Sequence, residues 1–145
     1  MLSVRSRALG GHLAPRFLLD THVLIRALTE VHRLSREQRR VIGASARRGE
    51  SVALSAMSLL EISMLMTAAG ERFRTSLADL FRQLEGNPVF HVLPITIEIA
   101  EQAGALSGLR DPGDRVIVAT ARIHRLTLLT SDQRIIESRL VPVDE

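Results

Sequence analysis

The stretch Phe17-Leu18-Leu19-Asp20-Thr21-His22 decides the fold, because its short apolar run ends on a carboxylate. Such a run, bounded by polar residues, is typical of a buried strand in a parallel sheet, and ligands of open α/β sheets lie beyond the carboxyl ends of the strands. A second copy occurs late in the chain, where Leu126-Thr127-Leu128-Leu129 leads into Thr130-Ser131-Asp132. Both copies therefore predict an acid at the edge of the sheet where chemistry usually takes place.

The remaining pattern predicts helices that alternate with strands. Further strands are expected at residues 51–54 and 89–93, with a candidate edge strand at 140–143. Helices are expected at about residues 21–28, 36–48, 56–69, 74–85, 96–106, 115–123 and 132–138. This alternation predicts a three-layer α/β/α sandwich with a central parallel sheet of four to five strands.

The composition predicts one globular domain, since the 145 residues are 46% hydrophobic and can bury a sizeable core. We expect this domain to span residues 16–145 and residues 1–15 to form a basic tail without regular structure. The sequence has no Cys, so a metal would be held by oxygen or imidazole. The lack of disulfides agrees with a reducing, cytoplasmic setting.

The charge pattern allows a nucleic-acid partner. All 19 residues counted as Lys or Arg are Arg, and 16 acids leave a net charge of +3. Arginine suits bidentate recognition of phosphate, although the use of Arg in place of Lys can also reflect genome composition. With four Phe and no Trp or Tyr, the sequence argues against modules that stack bases on aromatic side chains.

A membrane-spanning segment is not predicted. Residues 51–70 carry a single charge and are long enough to span a bilayer, but Glu61 would lie near the bilayer centre. The first sixteen residues lack the apolar core of a secretory signal. We therefore expect no association with a membrane.

Four of the acids have structural explanations when each is taken alone. Asp20 can cap a helix after its strand, and Asp132 can lie in the first turn of the next helix. Asp111-Pro112-Gly113-Asp114 places a capping side chain, a helix-starting Pro and a second acid in order.

Glu61 is harder to explain structurally. We expect it to lie on the buried face of its helix, in one stripe with apolar residues at helical spacing: Met57, Leu60, Met64, Leu65 and Ala68. A buried carboxylate without a partner would cost several kcal/mol. If the helix aims Glu61 at the strand ends that carry Asp20 and Asp132, a metal ion would compensate the charge.

Clustered carboxylates repel one another unless a cation lies among them. Mg²⁺ or Mn²⁺ suits carboxylate and water oxygens and can activate water for attack on a phosphodiester. Hydroxyls of Thr21, Thr130 and Ser131 could orient a carboxylate or a bound water, or simply cap turns. The five His residues form no ligand spacing, and we interpret His22 as a packing or hydrogen-bonding neighbour of Asp20.

Five motifs in order resemble those of PIN domains, most closely the VapC toxins of prokaryotic toxin–antitoxin modules. They are Phe17–Ile25, Ser58–Ser63, Leu93–Thr96, Asp111–Arg115 and Leu129–Asp132. The sequence departs from the VapC pattern at Leu60, where Trp is frequent, and at Gly113, where Phe is frequent. Both departures could change the shape of the substrate groove without removing an acid.

The resemblance implies a PIN-like fold and an endoribonuclease that depends on Mg²⁺ or Mn²⁺. Asp20, Glu61, Asp114 and Asp132 match the catalytic, metal-binding acids, with Asp20 and Asp114 as direct ligands. Thr130 matches a polar position beside the last acid, and Thr21, Ser131, Asp111 and Arg115 are supporting candidates. The resemblance also implies an RNA substrate such as tRNA or ribosomal RNA, a neutralising VapB-type antitoxin, and a toxin homodimer.

Two other functions are weighed against the nuclease. A phospho-acceptor receiver domain also gathers acids at strand ends, but it needs a Lys and the sequence has none. A non-catalytic PIN-like module that binds RNA or a partner would tolerate loss of the acids and would bind without a metal.

Overall fold

The computed structural model describes residues 13–69 and 73–145. In these residues, five strands form one sheet in the order β3-β2-β1-β4-β5, and every neighbouring pair is parallel. The strands are β1 (Phe17–Leu19), β2 (Val52–Ser55), β3 (Phe90–Leu93), β4 (Thr127–Leu129) and β5 (Val143–Asp144). The order places β1 at the centre, with Leu18 beside both Ala53 of β2 and Leu128 of β4.

Seven α-helices lie within the described residues. They are α1 (Thr21–Thr29), α2 (Arg36–Arg47), α3 (Ala56–Ala69), α4 (Leu77–Gly86), α5 (Ile97–Ala105), α6 (Pro112–His124) and α7 (Gln133–Ser138). The sixth begins at Pro112, three residues before the start predicted at Arg115, because the Asp111 side chain caps it and Pro112 suits its first position.

Side-chain caps set the starts of the helices that follow strands. Asp20 caps α1, as its structural explanation predicted, whereas Asp132 is the N-cap of α7 rather than a residue of its first turn. Ser35 and Gln38 form the predicted capping box at α2. After α2, Gly49 has a φ of 69° and turns the chain toward β2, a conformation that favours glycine.

The core lies on both faces of the sheet. Leu18, Ala53 and Leu128 point to one face and pack with apolar side chains of α5, α6 and α7. Their neighbours Leu19, Leu54 and Leu129 point to the other face and pack with α1, α2, α3 and α4. Because both faces are covered, the strands are apolar without alternation. The predicted three-layer α/β/α class is confirmed.

The predicted buried face of α3 was wrong. The buried side chains are Ser58, Ile62 and Met66, whereas Leu60 is 53% exposed and Met64 is 63% exposed. Leu65 is also exposed. This helix is apolar around most of its circumference, so hydrophobic spacing did not indicate which side meets the sheet.

Of the tail predicted at residues 1–15, residues 1–12 lie outside the described part, while Leu13 forms a parallel bridge with Glu50 beside the sheet. Within residues 13–69 and 73–145, no helix combines the length and apolar character needed to cross a bilayer.

Candidate active site

Asp20 lies at the carboxyl end of the central strand and is only 6% exposed. Its Oδ1 accepts a hydrogen bond of 2.8 Å from the Thr21 backbone N–H, and its Oδ2 accepts one of 2.6 Å from the Thr130 hydroxyl. Both carboxylate oxygens are therefore held in place, one by α1 and one by the loop that follows β4. Each oxygen keeps a further lone pair for another partner.

The loop after β4 places Asp132 next to this carboxylate. The Thr130 hydroxyl that donates to Asp20 also accepts a hydrogen bond of 3.0 Å from the Asp132 backbone N–H. Ser131 accepts a hydrogen bond of 2.9 Å from the buried Gln38, which ties the loop to the start of α2. The predicted hydroxyls at 130 and 131 thus orient the loop and its acid.

Glu61 reaches the same region from α3. The Thr21 hydroxyl donates to Glu61 Oε1 at 2.7 Å and lies 2.8 Å from the buried Ser58 hydroxyl. Thr21 therefore connects Asp20, which accepts from its backbone N–H, with the acid on α3, which accepts from its hydroxyl. Sequence reasoning missed Ser58, although its position three residues before Glu61 on one helix could have indicated that both share a face.

The N-terminus of α6 supplies the remaining acids. Asp111 Oδ2 accepts a hydrogen bond of 3.0 Å from the Asp114 backbone N–H, so exposed Asp111 caps the helix and half-buried Asp114 lies in its first turn. The Arg115 side chain donates to the Leu109 carbonyl. Arg115 therefore holds the loop before α6, and the structure indicates a structural role for this supporting candidate.

The acids influence one another's protonation. Burial raises the pKa of Asp114 to about 7, and the charges of Asp111, Asp132 and Asp20 act in the same direction against a smaller effect of Arg134. Burial also raises the pKa of Glu61, helped by Asp111 and Asp20 and opposed by the Thr21 hydrogen bond. Asp20 thus lies within electrostatic reach of acids on both α3 and α6.

Arg134 distinguishes Asp132 from the other acids. Burial acts to raise the pKa of Asp132, but hydrogen bonds from the side chain and backbone of Arg134 outweigh it, so the pKa is lowered. The guanidinium makes contacts of 3.3 and 3.1 Å with the two carboxylate oxygens and lies 4.0 Å from Asp114 Oδ2. Sequence reasoning did not single out this cation.

A cleft of about 250 Å³ opens beside the acids. It is lined by Asp20, His22, Val23, Arg26, Ser131, Asp132 and Arg134. His22 is exposed and lines this cleft together with Asp20. The cleft therefore offers carboxylates together with two guanidinium groups, a combination suited to a phosphate ester and a cation that neutralises it.

The predicted ligand set is brought to one edge of the sheet but is not arranged as a ligand shell. Within residues 13–69 and 73–145, no three His, Asp or Glu side chains are placed so that they could hold one metal ion. The donor chemistry nevertheless fits Mg²⁺ or Mn²⁺, since the available donors are oxygens, and two of the carboxyls have a pKa raised by burial and, to a smaller extent, by the charges of neighbouring acids. The ligand roles of the four acids stay a prediction.

The fold and site together define a class: a parallel α/β domain with several carboxylates at the carboxyl edge of the sheet and an adjoining cleft lined by acids and arginines. Residues 17–139 match the family model of the PIN domain. The chain belongs to the PIN domain family, so the resemblance noted in the sequence is confirmed. PIN domains are generally nucleases that use divalent metal ions.

Solved structures with this fold include components of toxin–antitoxin complexes. FitAcB from Neisseria gonorrhoeae is 26% identical, with 89% of this chain and 96% of that chain covered and a TM-score of 0.59. A toxin–antitoxin complex from Klebsiella pneumoniae is 23% identical, with 88% and 95% covered and a TM-score of 0.61. VapBC2 from Rickettsia felis, bound to a promoter DNA fragment, is 13% identical, with 88% and 96% covered and a TM-score of 0.66.

The last two structures have low sequence identity to this chain, so their similarity to it shows only that the fold is shared. A comparison with curated proteins gave no match.

Thr130→Val should destabilise the protein by about 1–3 kcal/mol, because Asp20 Oδ2 and the Asp132 N–H would both lose their partner in a buried position. Urea unfolding of the purified variant measures this loss. Thr130→Ser keeps the hydroxyl and should retain most of the stability. Equal stability of the Val and Ser variants would contradict the role assigned to the hydroxyl.

Asp114 should make stability depend on pH in metal-free protein. Its pKa is raised from 3.8 to about 7 in the folded state, so the stabilisation is complete below about pH 4 and is lost as the pH rises through about 7. Asp114→Asn removes this contribution. The urea midpoints of wild type and variant are measured in EDTA across this pH window. As the pH rises, the midpoint of wild type should fall relative to that of the variant. Parallel profiles would contradict the burial assigned to this carboxyl.

Proposed function

We propose that the chain is a divalent-metal-dependent endoribonuclease and the toxin of a toxin–antitoxin module, similar to VapC. The observation that carries the proposal is the position of Asp20, a buried carboxylate that lies within electrostatic reach of both Glu61 and Asp114. Membership of the PIN family supports the nuclease class. The fold shared with toxin–antitoxin complexes supports the toxin role.

Asp20 and Asp114 are proposed as direct ligands of Mg²⁺ or Mn²⁺, with Glu61 and Asp132 completing the acidic site. A metal held by these acids would supply Lewis-acid chemistry for hydrolysis of the phosphodiester. Thr130 and the Thr21 N–H keep the Asp20 carboxylate in one orientation, so its free lone pairs face the site without a reorganisation step.

RNA is the proposed substrate, with structured loops of tRNA or ribosomal RNA as the class to test first. Arg26 and Arg134 line the cleft that begins at Asp20 and Asp132. Guanidinium groups that line the same cleft as the acids suit the phosphates that flank the cleaved bond. Such a substrate would place the activity in the cytoplasm.

Asp20→Asn and Asp114→Asn should each reduce RNA cleavage by at least about 100-fold, since loss of groups that merely support metal ligands already costs 10–100-fold. Cleavage of a tRNA and ribosomal RNA mixture by purified protein with Mn²⁺ provides the measurement. Asp79→Asn is the matched control, because Asp79 is an exposed acid that pairs with Arg82 on α4.

Undiminished cleavage by both site variants, with the Asp79 control also active, would exclude the proposed chemistry. A wild-type protein that binds RNA equally well with and without metal, and cleaves none, would favour the non-catalytic module instead.

A VapB-type antitoxin and a second copy of the chain are the proposed partners. The toxin–antitoxin complexes that share the fold support the first. For the homodimer, we propose that the exposed apolar side of α3, formed by Leu60, Met64 and Leu65, is covered by the second copy. Exposed apolar groups gathered on one helix are typical of an interaction surface.

Met64→Glu should convert the dimer to a monomer, because a charge at this position would be buried against an apolar surface in the dimer. Light scattering of the antitoxin-free protein after gel filtration measures the mass. Val31→Glu is the control, since Val31 is a similarly exposed apolar residue that lies outside α3. A dimer that persists in Met64→Glu would contradict the use of this face.

A further inference from the structure

The contact between α3 and α6 at the site depends on Gly113. This buried residue is the second of α6, directly after Pro112. A Cβ built on Gly113 would lie 2.7 Å from Glu61 Oε2 and 3.0 Å from Glu61 Cδ. Non-bonded carbon and oxygen atoms do not approach so closely, so the Glu61 carboxylate occupies the volume that a side chain at 113 would fill.

The same point is also close to a second acid. The added carbon would be 3.1 Å from Asp111 Oδ2, the oxygen that caps α6. The Glu61 and Asp111 carboxylates thus both lie close to Gly113. The two negative charges repel each other. Both carboxylates lie at the N-terminus of α6, and the positive end of the helix dipole partly compensates this repulsion.

Glu61 is held on its other oxygen by α1. Its Oε1 accepts from the Thr21 hydroxyl, while its Oε2 faces Gly113. A methyl group at 113 would meet side-chain atoms and no backbone atom of α6: the end of Glu61 at 2.7–3.0 Å and, less closely, Asp111 Oδ2 at 3.1 Å. It would push the Glu61 carboxylate away from α6 and strain its hydrogen bond to Thr21.

We propose that Gly113 is a positioning residue for the metal-dependent reaction: its missing side chain lets Glu61 extend from α3 to the N-terminus of α6 and join the acids there. This inference rests on the proposed function for the role of Glu61, but the steric relation between the two residues is independent of it. Gly113 acts only through Glu61 and touches no reacting group itself.

The first test uses thermal unfolding without metal and without RNA. Alanine forms helices better than glycine, so Gly113→Ala should raise the melting temperature in a Glu61→Ala background, where the closest obstacle is removed and only Asp111 Oδ2, at 3.1 Å, must shift slightly. With Glu61 present, the displaced carboxylate should cancel this gain. Gly104→Ala is the matched control, since a Cβ at this α5 glycine meets nothing within 4 Å and should raise the melting temperature equally in both backgrounds.

The second test measures Mn²⁺ binding by calorimetry and the kcat and KM of RNA cleavage. Gly113→Ala should weaken Mn²⁺ binding by about 10–100-fold and lower kcat by a similar factor, with KM for RNA little changed. In the Glu61→Ala background the same substitution should have no further effect. Gly113→Ala combined with Glu61→Asp, whose shorter side chain leaves room for the methyl, should recover part of the Mn²⁺ affinity.

If Gly113→Ala changes the melting temperature equally with Glu61 and with Glu61→Ala, the steric relation between Gly113 and Glu61 is overturned. Unchanged Mn²⁺ affinity in Gly113→Ala would overturn its role in positioning the site. If wild-type protein neither binds Mn²⁺ nor cleaves RNA, the proposed function fails, whereas the unfolding experiment still decides whether Gly113 positions Glu61.

Discussion

The buried carboxylate of Asp20 is the constraint on which the site depends. One oxygen accepts a hydrogen bond from the Thr130 hydroxyl, 110 residues away in sequence, and the other accepts one from the N–H of the adjacent Thr21. Such a group cannot move without breaking a buried hydrogen bond, and this fixes the carboxyl end of β1 relative to the loop after β4. The central strand can therefore carry a charged residue at its end although the rest of the strand lies in the core.

The other acids approach this point from both helix layers. Glu61 comes from α3, which packs on one face of the sheet, and Asp114 comes from α6, which packs on the other. Only at the edge, beyond the last strand residues, can side chains of the two layers meet. Burial raises the pKa of both carboxyls, and the charges of Asp20 and Asp111 act in the same direction, so the arrangement opposes the stability of the ionised protein. A fold stabilised by its core alone would have no reason to collect these charges.

The sequence predicted most of the architecture, because the relevant signals are local. The run Phe17–Leu19, the acid that follows it and the Ser35–Gln38 capping box each depend on a few adjacent residues. The orientation of α3 could not be predicted, since an apolar helix can bury any side and only the contact with the sheet selects Ile62 and Met66. Arg134 was missed for a related reason, since an exposed cation becomes relevant only once folding places it beside Asp132 and Asp114.

The apolar circumference of α3 connects the site with the protein surface. Ile62 and Met66 bury one side in the core, and Ser58 and Glu61 face Thr21 and α6. Met64 and Leu65 follow Glu61 by three and four residues, so helical geometry places them next to it on the exposed side. A chain that covers this exposed side would reduce the water around the Glu61 carboxylate, and removal of water strengthens every charge interaction nearby. The exposed apolar surface and the Glu61 carboxylate therefore lie on one element, so a change in the surroundings of either one affects the other.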